Sequence, residues 1–444
     1  MKLSLSLLAL SVALLGGCAP KSDDASRDES ALSAVPPPTK IVDGIDKLLV
    51  GVTPEDVIFR TTGGDTGQKV YAVPLSGGEP TELFTFAEGD VIKIAGSFVA
   101  HWRSVEHEVG QLDTWSRTRA LERNIASRSV VNMFSANESG NRVVFTDHAS
   151  TAYDHPQRGS IAVVEFEAGN VGFVPLDELV EVSLGRACLP WFEFAKDTLV
   201  VQYCVGGHPT ENARLGTLLP TASRLARIDG TGLGSVEQWS HFAVDRDGTT
   251  VIANNAFGPL GNARVFTLTS EASPRTIERA DQYVISPGGK GVRAVGGGVL
   301  WRRSLNPPSA SRILAMDVKS ILSTSEDGYG LVVNKKAPDR EKELADLSIV
   351  DTTTMIPAFA SLVATSNGRM LGWNGKTAIY LDMTSSPSIK AATPDGASTI
   401  IVDSPARPYY PTTSTGPYIS GKRLVFASLT KDAAGLYVVE LPGS

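Results

Sequence analysis

VIFRTTGGDTGQKVYAVPLSGGEPTELF, residues 57–84, holds two β-rich runs, VIFRT and KVYAVPL, parted by a turn of Gly, Thr and Asp. Short runs of branched and aromatic residues bounded by Gly, Asp and Asn are the pattern of half-buried antiparallel strands. The same unit recurs outward from this stretch. Ser139-Gly140-Asn141 leads into RVVFTD and SIAVVEFE, and Arg246-Asp247-Gly248 into TTVIANN and ARVFTLT. Glu326-Asp327-Gly328 leads into YGLVVNK and ADLSIVD, Ser366-Asn367-Gly368 into RMLGWNG and TAIYLDM, and Ser420-Gly421-Lys422 into RLVFASL and GLYVVEL. Weaker copies are VAHW (99–102), a cysteine-flanked hairpin with SRLARID (188–229), and GGVLWRRS with RILAMD (297–317).

First-strand midpoints fall near Phe59, His101, Phe145, Val201, Ala253, Trp301, Val333, Gly372 and Phe426. Their spacing, mostly about 40–50 residues, is that of a four-stranded propeller blade. The 42 Gly and 26 Pro suit many turns and few long helices. Here the chain resembles the TolB-like and WD40-like propellers of bacterial envelopes, with residues 57–84 the closest local match and most of 45–441 covered. TolB's separate N-terminal domain has no counterpart. Combining the first and last hairpins into one ring-closing blade absorbs both sheet edges. The expectation is therefore a single all-β propeller of eight four-stranded antiparallel blades, with seven as the alternative because the copy near His101 lacks a clear partner strand. Tandem β-sandwiches are the competing architecture.

The start of the chain carries a different signal. Lys2 precedes an apolar stretch, Leu3 to Leu15, which at about 1.5 Å per residue covers about 20 Å, short of a hydrocarbon core of about 30 Å. A secretory leader fits better than a membrane span. The stretch ends Leu15-Gly16-Gly17-Cys18, which resembles the lipobox of bacterial lipoproteins. The resemblance implies cleavage before Cys18, lipidation of Cys18, and, with Ala19 following, anchoring at the outer membrane. Residues 1–17 then form the signal peptide, 18–39 a lipidated flexible tether ending in three prolines, and 40–444 the propeller domain. Such a tether spans up to about 70 Å at about 3.3–3.6 Å per residue. Sequence rules leave open whether the body faces the periplasm or the cell surface.

Composition narrows the partners. The 41 Lys+Arg stand against 48 Asp+Glu, a net charge of −7, and loss of Lys2 with the leader makes it more negative. With no long basic run, nucleic acid is not an expected partner. After Cys18, the cysteines are Cys188 and Cys204, an even pair in an exported chain. A hairpin turning at Ala195-Lys196-Asp197 would set Phe194 opposite Thr198, Phe192 opposite Val200 and Cys188 opposite Cys204, within disulfide reach. Two buried free thiols are the alternative.

Long loops at 147–159, 205–222, 254–262, 302–311 and 335–344 contrast with short turns, and a propeller gathers such loops on one face with the inter-blade connections. One connection, RPYYPTTSTGPY (407–418), offers Tyr409, Tyr410 and Tyr418 as partner-binding residues. Asp147, His148, Asp154 and His155 hold donors for a divalent metal; lacking a fixed spacing they are weak candidates, and no metal or cofactor is expected. His101 reads as a packed strand residue, and Trp102, Trp301 and Trp373 as blade-packing residues of equivalent strands. There is no G-x-S-x-G elbow, and Gly230 to Gly234 follows a strand as a turn, which disfavours a phosphate cradle. No catalytic residue is assigned. The reading is a non-catalytic, membrane-anchored binding or scaffold module for another envelope protein; the alternative is a saccharide- or peptide-acting enzyme or ligand-binding protein using the central funnel.

Overall fold

A computed structural model describes residues 35–44, 46–62, 67–106, 108–147, 158–167, 170–174, 182–183, 191–204, 213–218, 226–228, 239–255, 262–268, 275–336, 345–354, 357–364, 368–384, 387–403, 417–428 and 433–441. These residues form nine antiparallel sheets arranged as one β-propeller. Blades 1 to 8 take the chain in order: 47–86, 91–130, 134–174, 191–228, 239–278, 282–316, 318–364 and 368–403. Each is four consecutive strands, here A (innermost) to D (outermost). Blade 3 adds a two-residue strand, Val182–Ser183, on its strand C. The ring is visible in the A strands. Each touches the next from blade 1 to blade 4 and from blade 5 to blade 9, and blade 9 touches blade 1. Between blades 4 and 5 the contact runs from Ala213–Leu218 to Trp239–Val244.

Blade 9 is closed by the two ends of the chain. Tyr418–Ser420, Arg423–Ser428 and Gly435–Glu440 supply strands A to C, and Thr39–Asp43 pairs with the last as strand D, Thr39 opposite Val438 and Asp43 opposite Gly435. The blade count of eight, or seven, is thus corrected to nine. The hairpin around Phe59 does not merge with that around Phe426; it belongs to a complete blade, and ring closure takes only the five residues before it. The copy around His101 has its partners in Val109–Ser116 and Ala120–Val130.

Most of the nine sequence midpoints lie on B strands, because a B strand is covered on both faces. In blade 1, Val57 and Phe59 pack toward blade 9 with Val42, Val425 and Leu436, whereas Ile58 packs toward blade 2 with Val99 and Trp115. A strand buried on both sides reads as a continuous apolar run, which makes it the loudest element in the sequence. Trp301, on strand C of blade 6, and Gly372, on strand A of blade 8, are the exceptions. Trp102 lies on strand B of blade 2, Trp301 on strand C of blade 6 and Trp373 on strand A of blade 8, so they are not equivalent. Trp102 and Trp301 do pack within blade interfaces, as expected.

Candidate functional site

The strand order gives the ring two unlike ends. A–B and C–D turns meet at one, B–C loops and inter-blade connections at the other. At the turn end a six-residue motif repeats. Asp245 accepts from the backbone N–H groups of Thr249 and Thr250 at 2.7 and 2.8 Å, while Gly248 N–H closes on Asp245 O at 3.0 Å. Asn137 does the same for Asn141 and Arg142 with Gly140 closing, and Ser325 for Gly330 with Gly328 closing. The short polar side chain satisfies N–H groups that the turn leaves without ladder partners, and the glycine adopts the positive φ the turn requires, +66° at Gly248.

Neighbouring turns are tied to each other. Asp197 accepts from Asn137 Nδ2 at 2.8 Å, Ser139 N–H at 2.9 Å and Ser139 Oγ at 2.8 Å, joining blades 3 and 4. Lys196 donates to Asp247, joining blades 4 and 5, and Ser420 Oγ donates to Thr53 O at 3.0 Å, joining blade 9 to blade 1. The hairpin carrying Lys196 also revises the cysteine geometry. Its turn is two residues, so Phe194 faces Leu199 and Phe192 faces Val201, one residue off the expected register. A one-residue slip exchanges the faces of a strand. Cys204 ends strand B of blade 4 opposite Ala213 on strand C, and Cys188 lies outside the described residues.

Cys18, Tyr409, Tyr410, His148, Asp154 and His155 lie outside the described residues. Tyr418 is not on a loop: it opens strand A of blade 9 opposite Val425, half-buried against the core between blades 9 and 1. The 302–311 stretch is also corrected. It spans the end of strand C and the C–D connection of blade 6, which places that connection at the turn end.

Beneath the loop end, between blades 1 and 2, His101 and Asp90 form a buried pair with Nε2 2.9 Å from Oδ2. Asp90 also accepts the Ala87 N–H at 3.0 Å and the Ser104 N–H at 3.3 Å. The imidazole stacks on Phe84, ring centroids 4.1 Å apart, and Nδ1 meets no hydrogen-bond partner among the described residues. Burial pushes the imidazole below its usual range, with Asp90 opposing that shift. His101 is a packed, hydrogen-bonded strand residue.

Charges also stand on the innermost strands, where composition alone gave no cue to them. Lys93 on strand A of blade 2 donates to Asn132 O at 2.7 Å, and burial lowers its pKa. Glu193 on strand A of blade 4 is open to water, yet desolvation raises its carboxyl. Among the described residues, no three His, Cys, Asp or Glu side chains group to hold a metal ion, and no helix is long and apolar enough to cross a membrane.

No protein-family model matches the chain, and no curated protein matches it in sequence. Solved structures are similar in fold. Dipeptidyl peptidase 4 of Porphyromonas gingivalis aligns with a TM-score of 0.50 at 10% identity over 83% of this chain and 62% of that one. The β-propeller domain of the Trilobed protease from Pyrococcus furiosus aligns at 0.39 and 12% identity over 81% and 98%. TolB from Acinetobacter baumannii aligns at 0.29 and 12% identity over 61% and 67%. At such identities the likeness is one of fold.

Proposed function

We propose that this chain is a lipid-anchored binding module of the bacterial envelope, tethered at the outer membrane through Cys18, that holds another envelope protein with the loop end of its ring. The observation that carries the reading is the inequality of the two ends. The A–B turns at one end are short and several are bonded blade to blade, and the C–D connections beside them run to about seven residues; the opposite end receives the longest connections, including 205–212, 337–344 and 404–417. Variable loops on a rigid frame are where recognition is built, and a ring of nine blades offers a broad surface for it. Tyr409 and Tyr410 are the contact residues this reading selects, in a connection rich in proline and aromatic side chains.

The test is purification of the full chain from membranes under mild detergent, followed by mass spectrometry. One envelope protein is expected at a reproducible ratio, and reduced in the Tyr409→Ser/Tyr410→Ser variant. Recovery of the chain alone, carrying a metal or a saccharide, overturns the scaffold role in favour of the funnel-site alternative. The anchor is tested separately: Cys18→Ser is expected to leave the membrane fraction, and its retention there would sink the lipid assignment.

A further inference from the structure

Among the described residues two arginines are buried, Arg142 in blade 3 and Arg293 in blade 6, and they differ in their partners. Arg142 meets Glu165 at 2.8 Å; Arg103 meets Asp113 at 2.6 Å, and Arg117 meets Asp56. Arg293, only 4% exposed, meets no carboxylate among the described residues. Its Nε donates to Thr352 Oγ1 at 3.0 Å, its Nη1 donates to Ser286 Oγ, and its guanidinium lies 4.1 Å from the centre of the Tyr329 ring.

A second arginine stands directly across the strand pair. Arg302 on strand C is the register partner of Arg293 on strand B, and its Nη1 donates to Thr352 O and, at 3.2 Å, to Thr353 O. Directly paired residues share a face of the sheet. Both guanidiniums therefore turn toward blade 7 and converge on Thr352, at the turn end of the interface. Arg302 disfavours the charge on Arg293, and the carboxylate acting on Arg293, that of Asp327, is bonded instead to Ser325 Oγ at 2.6 Å and the Tyr329 N–H at 2.9 Å. Gly291 adds no bulk beside the pair; a Cβ there would sit 3.8 Å from both Arg293 Nη1 and Ser286 Oγ.

We propose that Arg293 and Arg302 form an anion-binding site between blades 6 and 7, taking a single carboxylate or phosphate group. A buried cation is costly until a counter-charge meets it. A guanidinium has five N–H donors in a planar fork suited to two oxygens of one oxyanion, and the described partners of Arg293, the side chains of Thr352, Ser286 and Tyr329, are all hydroxyls that bring no full counter-charge. The site sits at the opposite end of the ring from the loops and stands independently of the scaffold reading.

The test uses the full chain in detergent, with thermal unfolding and calorimetric titration against sodium phosphate and sodium acetate, and sodium chloride at matched ionic strength as reference. A saturable rise in Tm with at least one oxyanion beyond chloride is expected. Binding should weaken at least tenfold in Arg302→Gln, where a half-buried guanidinium is removed without emptying the buried position. Arg293→Lys should lose the response as well, since an ammonium cannot reproduce the fork. Arg303→Gln is the control, because Arg303 pairs with Glu278 on the blade 5 side. No saturable effect beyond chloride, or an undiminished one in Arg302→Gln, overturns the site. If Arg293→Lys does not fold, Arg302→Gln alone decides. Preference for phosphate over acetate would identify the ligand as a phosphate group; the reverse would identify a carboxylate.

Discussion

Arg117 of blade 2 reaches across to blade 1 and grips Asp56 with two nitrogens, Nε donating to Oδ2 at 3.0 Å and Nη2 to Oδ1. The partners are unequally placed: the Asp56 side chain is 1% exposed and that of Arg117 45%. Removing the arginine strands a buried carboxylate, whereas removing the carboxylate frees a guanidinium that can turn to water. Arg117→Ala is therefore expected to cost about 2 kcal/mol, discounted for its exposure, and the Arg117→Ala/Asp56→Ala double variant to be more stable than Arg117→Ala alone. Denaturant unfolding measures both; a double variant less stable than the arginine single would contradict the argument.

Two glycines separate backbone strain from crowding. Gly297 has φ +58° and open space around its missing Cβ, so Gly297→Ala should cost about 1 kcal/mol. Gly248 has φ +66° and a Cβ there would lie 2.8 Å from Ala195 O and 2.6 Å from Thr198 Cβ in blade 4. Gly248→Ala should cost distinctly more, roughly 3 kcal/mol, because the turn must also move off its neighbour. Equal losses of unfolding free energy would mean that the turn end is not packed blade to blade.

His101 predicts a pH effect of definite sign. Its pKa is lower in the folded chain than in the unfolded one, so the unfolded chain takes up the proton first as pH falls. The stability it contributes is complete above its unfolded value of about 6.5 and is lost as pH drops from there toward the folded value. Unfolding free energy should fall as pH drops below about 6.5, and His101→Phe should flatten that slope. A slope unchanged in the variant would assign the acid sensitivity elsewhere.

Ring closure depends on five residues. Thr39–Asp43 covers the edge of Gly435–Glu440 and places Val42 in the core between blades 9 and 1. A chain lacking only 19–34 should unfold like the full mature chain, while one lacking 19–43 should lose about 3 kcal/mol or more, from burial of Val42 and Val35 and the strand pairing together. Matching midpoints in guanidinium chloride would show that blade 9 holds without its outer strand.

Nine midpoints were legible because each marks a strand whose apolar run is long enough to stand out, as VIF at 57–59 does with neighbours on both faces. The outer and inner strands were harder to read. Thr39–Asp43 carries one buried side chain, that of Val42, so nothing local distinguishes it from a linker. The cysteine hairpin was legible as a hairpin but not in register, since either a two- or a three-residue turn at Ala195–Asp197 satisfies the same pattern of apolar residues. His101 was legible as a packed residue; its pairing with Asp90, eleven positions earlier, was not.

The amino-acid order by itself determined that this chain makes short antiparallel strands in units of one blade, because alternation, turn chemistry and period are properties of neighbouring residues. Tertiary structure alone decided how many units close the ring and which charges share an interface. Closure pairs Thr39 with Val438, the Ser420 Oγ bond reaches Thr53, and Arg293 finds Thr352 from the next blade. Each is a contact between segments far apart in the chain, specified by the angle at which blades pack rather than by any pattern within one of them.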